Sequence, residues 1–348
     1  MTKRRDMPKD QQIEKQTFWS KLPRPFFVIA PMANVTDSVF RKLFPKYGKP
    51  DVMWTEFVSA DGLNSAGQKR LLVDLVYSEK ERPIVAQLFT GHPDEMKAAA
   101  KLVAKLSFDG LDINMGCPDR AVVKQGGGSA LMKNQKTALA VLEAAREGVS
   151  MSHVAVSVKT RIGFNTIDLS WIESLLKQDL PALTVHLRTK KEMSEVPAHW
   201  DLMPEIVKMR DRISPSTLII GNGDVQSLDQ AREYASKYGC DGVMIGRGIF
   251  GKPWFFEKGK KSSKKIVKAR AIDRTPEEKL KILLEHTKLF DKTYCGKKHL
   301  KSFNVMKKHF KAYASGWDGA KVLRGKLMET TNAREVGVVI KEYLLANK

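Results

Sequence analysis

The chain has 348 residues, 42% of them hydrophobic, and its 60 Lys and Arg outnumber 39 Asp and Glu to give a formal net charge of +21. An α/β barrel takes about 250 residues, and no stretch reaches the roughly 20 apolar residues that cross a bilayer. The three cysteines, Cys117, Cys240 and Cys295, are far apart and odd in number, which argues against a disulfide framework or a metal site and fits a reducing compartment.

The first 25 residues are charged, mixed in sign and followed by no apolar run of signal length, so they read as an extension rather than a secretory signal, and a cytoplasmic location is expected. Eight short, near-continuous apolar runs follow at 26–31, 51–57, 83–89, 111–116, 154–163, 182–188, 217–225 and 242–250. Runs of this kind are expected of parallel strands covered on both faces. Segments 93–106, 135–149 and 227–238 carry apolar residues at helical spacing, the first with Pro93 at its start. Eightfold strand–helix alternation predicts an α/β fold of the closed (β/α)8 TIM barrel type over 26–257, and no glycine fingerprint of a doubly wound sheet follows the first run.

Past Trp254 the composition changes. Residues 258–274 read as a basic linker or insertion. Thr275 is a fitting N-cap, Pro276 a first helical residue, and Glu277 and Glu278 suit the first turn, so a small domain of three or four helices is expected over 275–348, with breaks near Gly296, Gly316 and Gly325. Residues 258–348 hold 24 Lys and Arg against 9 Asp and Glu, or +15 of the +21. Charge so concentrated points to a polyanionic partner, although a solvated basic face has the same composition.

Active sites of such barrels lie at the carboxyl ends of the strands. Polar residues cluster there: Asn34 after the first run, Gln87 in the third, Asn114 and Cys117 ending the fourth, Lys159 and Arg161 in the fifth, and His186 and Arg188 ending the sixth. Asn222, Gly223 and Asp224 end the seventh, and Gly246 and Arg247 the eighth. Buried polar groups are costly unless paired, so their convergence suggests a binding site. The glycine-rich ends of the last two runs lie where this fold commonly binds phosphate, and Arg247 adds charge, so a phosphate-bearing cofactor is expected there. Lys159 requires an anion, supplied either by a structural partner or by a flavin gaining charge on reduction. Gln87 has both a donor and an acceptor for the amide edge of such a ring. Most free cysteines are small buried hydrophobes, but Cys117 at the rim can deliver a proton.

These residues, in order, resemble the dihydrouridine synthases. The resemblance runs from about residue 26 to Trp254 and more loosely through the tail. It is carried by Ala30-Pro31-Met32-Ala33 with Thr36-Asp37, Gln87, Asp112-Ile113-Asn114-Met115-Gly116-Cys117-Pro118 and Gly128-Ser129-Ala130-Leu131. Lys159 with Arg161, His186 with Arg188-Thr189, Trp200-Asp201, Gly221-Asn222-Gly223-Asp224 and Gly246-Arg247-Gly248 complete it. It implies reduction of uridine in RNA, foremost tRNA, to 5,6-dihydrouridine, with FMN as cofactor and NADPH as electron donor. Dihydrouridine synthesis on ribosomal RNA and a small-molecule FMN oxidoreductase of the dihydroorotate dehydrogenase type are the alternatives.

Cys117 would be the general acid. Pro31, Met32 and Ala33 would touch the flavin ring; Gln87, Lys159 and His186 would bind its polar edge and ribityl region. Asn222, Gly223, Asp224, Gly246 and Arg247 would hold the ribityl and phosphate, and Asn114, Arg120, Arg161 and Arg188 would contact the RNA. The helical domain would clamp RNA, and a monomer is expected. Two positions depart from the family pattern. Arg120 follows Asp119 where the family has a lysine after the cysteine, and Leu187 replaces a glycine, where its side chain is expected to narrow the RNA channel.

Overall fold

The computed structural model describes residues 17–257, 274–296 and 299–347. Each apolar run forms a strand: β1 (Phe26–Ile29), β2 (Met53–Ser59), β3 (Ile84–Phe89), β4 (Gly110–Met115), β5 (Ala155–Arg161), β6 (Ala182–His186), β7 (Leu218–Asn222) and β8 (Gly242–Ile245). All pair in parallel, in the order β1-β8-β7-β6-β5-β4-β3-β2. A Val28–Val52 bridge joins the two ends and closes the barrel. The longer helices on its outside are α1 (Pro93–Lys105), α2 (Gln135–Val149), α3 (Leu169–Leu176), α4 (Met203–Ile213) and α5 (Leu228–Tyr238). Their starts are chemically marked: Pro93 and Pro204 stand in first turns, and the side chains of Asn134, Asp168 and Ser227 accept backbone N–H bonds as N-caps.

Side chains alternate across a strand, so every second residue enters the barrel. Near the amino ends of the strands these residues are apolar. Phe26, Val28, Val52, Trp54, Val85, Ala155, Ala182, Leu218, Ile220 and Met244 form one cluster, closed by Trp19 from the segment before β1. Toward the carboxyl ends the same alternation gives Gln87, Asp112, Asn114, Ser157, Lys159, Thr184, His186 and Asn222. The barrel is therefore sealed at one end and polar at the other.

After the barrel come α6 (Pro276–Phe290), α7 (Met306–Tyr313), α8 (Ala320–Glu329) and α9 (Ala333–Ala346). Thr275 and Glu278 form a reciprocal capping box at the start of α6. These helices share a core that includes Leu283, Phe290, Met306, Phe310, Leu323, Leu327 and Val336, with Val39 and Trp254 of the barrel region joined to it. Gly325 does not break the chain, being interior to α8. A Cβ there would meet nothing within 4 Å, and burial of Leu323 and Leu327 offsets the roughly 1 kcal/mol that a helical glycine costs. The expected basic linker at 258–274 lies, apart from Arg274, outside the described residues, as do the first 16 residues of the expected N-terminal extension. No described helix is long and apolar enough to cross a membrane.

One buried ion pair anchors the loop after β1. Arg41 and Glu81 are both 0% exposed, with Nε 2.7 Å from Oε2. Arg41 also donates to the carbonyls of Thr36 and Val76, and Glu81 accepts from the backbone and hydroxyl of Ser78.

Candidate active site

A cleft of about 900 Å³ opens at the carboxyl ends of the strands. Fourteen of the sixteen residues singled out from sequence line it. They are Pro31 and Met32 after β1, Gln87 of β3, Asn114 of β4 with Cys117 beyond it, Lys159 and Arg161 of β5, and His186 of β6 with Arg188. Asn222, Gly223 and Asp224 at the end of β7, and Gly246 and Arg247 after β8, complete the group. Ala33 and Arg120 are outside the lining and exposed. Leu187, expected to narrow the channel, does not: it is 0% exposed and packs in the core outside the barrel. The alternation that turns His186 inward turns its neighbour outward.

One wall is a hydrogen-bonded chain. Gln87 donates from Nε2 to Asp112 at 2.6 Å and accepts from Asn114 at 3.0 Å; Ser157 donates to the other oxygen of Asp112 at 2.6 Å. Burial raises the Asp112 carboxyl to about 6, against the lowering effect of Gln87, Ser157 and the Lys159 charge. The Gln87 amide still has one N–H and one lone pair for a ligand. The Asn114 carbonyl accepts from the backbone N–H groups of Gly116 and Cys117, at 3.1 and 2.9 Å, and so shapes the turn that presents the thiol. Cys117 is half-buried, and its thiol is pushed above its ordinary value by burial, so it stays protonated at neutral pH.

Lys159 is next to Asn114 in register. Its ammonium borders the cleft and has no hydrogen bond or salt bridge among the described residues. Burial first, then the Arg161 charge, lowers it to about 8, against the pull of Asp112. His186 is held neutral, its pKa well below 6.5, by burial and by the charges of Arg161, Lys159, Arg188 and Arg247. Arg161 and Arg188 reach back into the protein. Arg161 donates to the carbonyls of Gly116, Thr189 and Met193; Arg188 donates to the Val196 carbonyl and pairs with Asp224. Together they strap the loop after β6, which brings Ser194 to the cleft.

The far end is built on β7 and β8. Gly223 has φ +139°, and a Cβ there would lie 2.6 Å from the Ala198 Cβ, so only glycine fits. Asp224 accepts from Ala198 and is clamped by Arg188 and Arg247, which keep its carboxyl ionised below its ordinary value despite burial. At Gly246 the nearest atoms to a Cβ would be Ala30 Cβ and Met32 Sδ, both 3.9 Å away, so the main chain here faces open cleft.

The family model for dihydrouridine synthase matches residues 28–347. The chain belongs to the dihydrouridine synthase family. A probable tRNA-dihydrouridine synthase of Staphylococcus aureus (strain COL) is 40% identical over 332 residues, which span 94% of this chain and 96% of that protein. A probable tRNA-dihydrouridine synthase 2 of Bacillus subtilis (strain 168) is 39% identical over 331 residues, 94% of this chain and 97% of that protein. Among solved structures, a histamine dehydrogenase from Rhizobium sp. 4-9 aligns at 13% identity with a TM-score of 0.46, over 66% of this chain and 44% of that one.

This dihydrouridine synthase also lines its cleft with Phe57, Ser194 and Gln226, to which the sequence reading gave no role. Phe57 ends an expected strand, but a register shift between Trp54 and Phe57 turns it inward against the parity set by Trp54, and the sequence gives no signal of that shift. Ser194 depends on a loop conformation for which the sequence offers no signal.

Proposed function

We propose that this dihydrouridine synthase reduces the C5–C6 double bond of uridine in tRNA to 5,6-dihydrouridine, with FMN as cofactor and NADPH as electron donor. The observation that carries the reading is that the free thiol of Cys117 and the Lys159 ammonium, which has no hydrogen bond or salt bridge among the described residues, line one cleft. The residues present suit a flavin phosphate. Lys159 has no hydrogen bond or salt bridge among the described residues, the Gly246 main chain faces open space, and Arg247 is 55% exposed. Pro31, Met32 and Ala33 would meet the ring; Gln87, Lys159 and His186 would hold its polar edge and ribityl; Asn222, Gly223, Asp224, Gly246 and Arg247 would hold the ribityl and phosphate. When bound and reduced, FMN supplies a hydride to C6 of the uracil.

The chain supplies the proton. Cys117 is the general acid, its Sγ–H passing a proton to C5, a contribution of typically 10²–10⁴-fold. Asn114 fixes the turn holding that thiol, and neutral His186 donates or accepts a hydrogen bond without adding charge. Arg161 and Arg188 would act on the RNA through the loop they strap, and Arg120, exposed two residues beyond Pro118 of the cleft lining, would meet the RNA backbone. The target base must leave its stack to reach the cleft. We assign catalysis to residues 26–257 and RNA capture to 275–348, with 1–25 an extension and 258–274 a basic connection.

The test is anaerobic. The flavin is reduced chemically and mixed with tRNA lacking dihydrouridine. Return of the yellow absorbance with tRNA alone supports the reading. Return only with ribosomal RNA, or only with orotate, would replace it with the corresponding alternative.

A further inference from the structure

Outside the cleft, a largely buried cluster of charged side chains joins the helical region to the barrel. Lys301, just before α7, is 9% exposed. Its Nζ lies 2.5 Å from Glu56 Oε2 of β2 and 2.7 Å from Asp74 Oδ1. Burial alone would lower this ammonium, but the two carboxylates more than offset that and hold its pKa above the ordinary lysine value. The other oxygen of Glu56 accepts the backbone N–H of Asn34. Asn34 has φ +55°, in the left-handed region that asparagine enters more readily than most residues. It follows Met32 and Ala33 in the loop after β1, which is also held by Met32 N–H to Thr36 Oγ1 and Thr36 N–H to Met32 O, by Ala30 N–H to Ile245 O, and by Arg41 at the Thr36 carbonyl. A second tie reaches the same loop, since Tyr294 shares a 2.8 Å hydrogen bond with Ser38.

We infer that Lys301 is a positioning residue for the cleft. Through Glu56 it fixes the Asn34 backbone, and with it the Met32 side of the site, so the seating of the helical region sets the shape of the flavin end. This rests on the flavin reading above. An ordinary interface ion pair would have the same distances, but only the Glu56 arm continues into the loop; the Asp74 arm does not. That difference makes the inference testable.

The full-length apoprotein is titrated with FMN by quenching of flavin fluorescence, with folding checked by circular dichroism. Lys301→Met is expected to weaken FMN binding at least tenfold, Lys301→Arg to recover most of it, and Asp74→Asn to stay within twofold of wild type. Equal losses in Lys301→Met and Asp74→Asn, or no loss in either, would overturn the inference. Should Lys301→Met fail to fold, Tyr294→Phe decides: weaker FMN binding by a few-fold supports it, and unchanged binding refutes it. A wild-type chain that binds no FMN would instead remove the flavin reading and this inference with it.

Discussion

Lys159 gives a prediction whose sign differs between stability and binding. Its ammonium falls from 10.5 to about 8 in the folded chain. At about 1.36 kcal/mol per pH unit, keeping it charged in the apoprotein costs on the order of 3 kcal/mol. Because the folded pKa lies below the unfolded one, the unfolded chain binds this proton more tightly. The full cost is present below pH 8 and is relieved as pH rises from about 8 to 10.5. Lys159→Met should therefore stabilise the apoprotein at pH 7 by up to about 3 kcal/mol, in line with replacements of buried charge by apolar groups of similar volume. The gain should shrink by pH 10. The same substitution should weaken FMN binding by roughly 10–150-fold, the range for loss of a charged hydrogen bond. Urea unfolding of both proteins at pH 7 and pH 10, followed by circular dichroism, measures the first effect, and other titrating groups cancel in the difference. A mutant less stable than wild type at pH 7, or a difference independent of pH, would show that Lys159 is already satisfied within the fold.

Cys117→Ala should keep FMN and tRNA affinity within twofold and lower turnover by about 10²–10⁴; an unchanged single-turnover rate would remove Cys117 as the acid. Since burial raises this thiol, the wild-type rate should hold through neutral pH and fall only above pH 9, where the proton is lost. Arg41→Met strands Glu81 in the core and should cost about 3–5 kcal/mol of stability, read by urea unfolding; a loss below 1 kcal/mol would mean Glu81 takes up a proton cheaply. Neutralising Lys308 and Lys311, exposed on α7, should lower the slope of log affinity for tRNA against log salt by roughly 1–2, at about 0.7–0.9 per phosphate contact; an unaltered slope would place the RNA elsewhere.

The strands and their order could be read in the sequence because a buried parallel strand has little freedom in composition: each is apolar on its outer face, and inward near its amino end. Helix starts were equally plain where a cap or proline marked them, as at Thr275 and Pro276. Gly325 misled because its helix is held by the leucines on either side of it, and a glycine on an exposed face is cheap to keep. Most of the cleft could be inferred from polar residues at strand ends. What each one does was harder to foresee. Arg161 and Arg188 were read as facing a ligand, yet their guanidinium groups reach the carbonyls of a loop whose path the sequence does not specify. Lys301 and Glu56 are 245 positions apart, and nothing local to either predicts their pairing.

The closure of the barrel has a consequence for synthesis. β1 pairs with β8 along its whole length, from Phe26–Gly242 to Ile29–Ile245, but with β2 through the Val28–Val52 bridge and the bonds around Asp51. The first strand made therefore finds most of its ladder in the last. Until residue 245 has left the ribosome, β1 is an apolar segment with few partners, and contacts this distant in sequence form slowly. Chains cut short before β8 should expose that edge and associate, while chains reaching just past it should close.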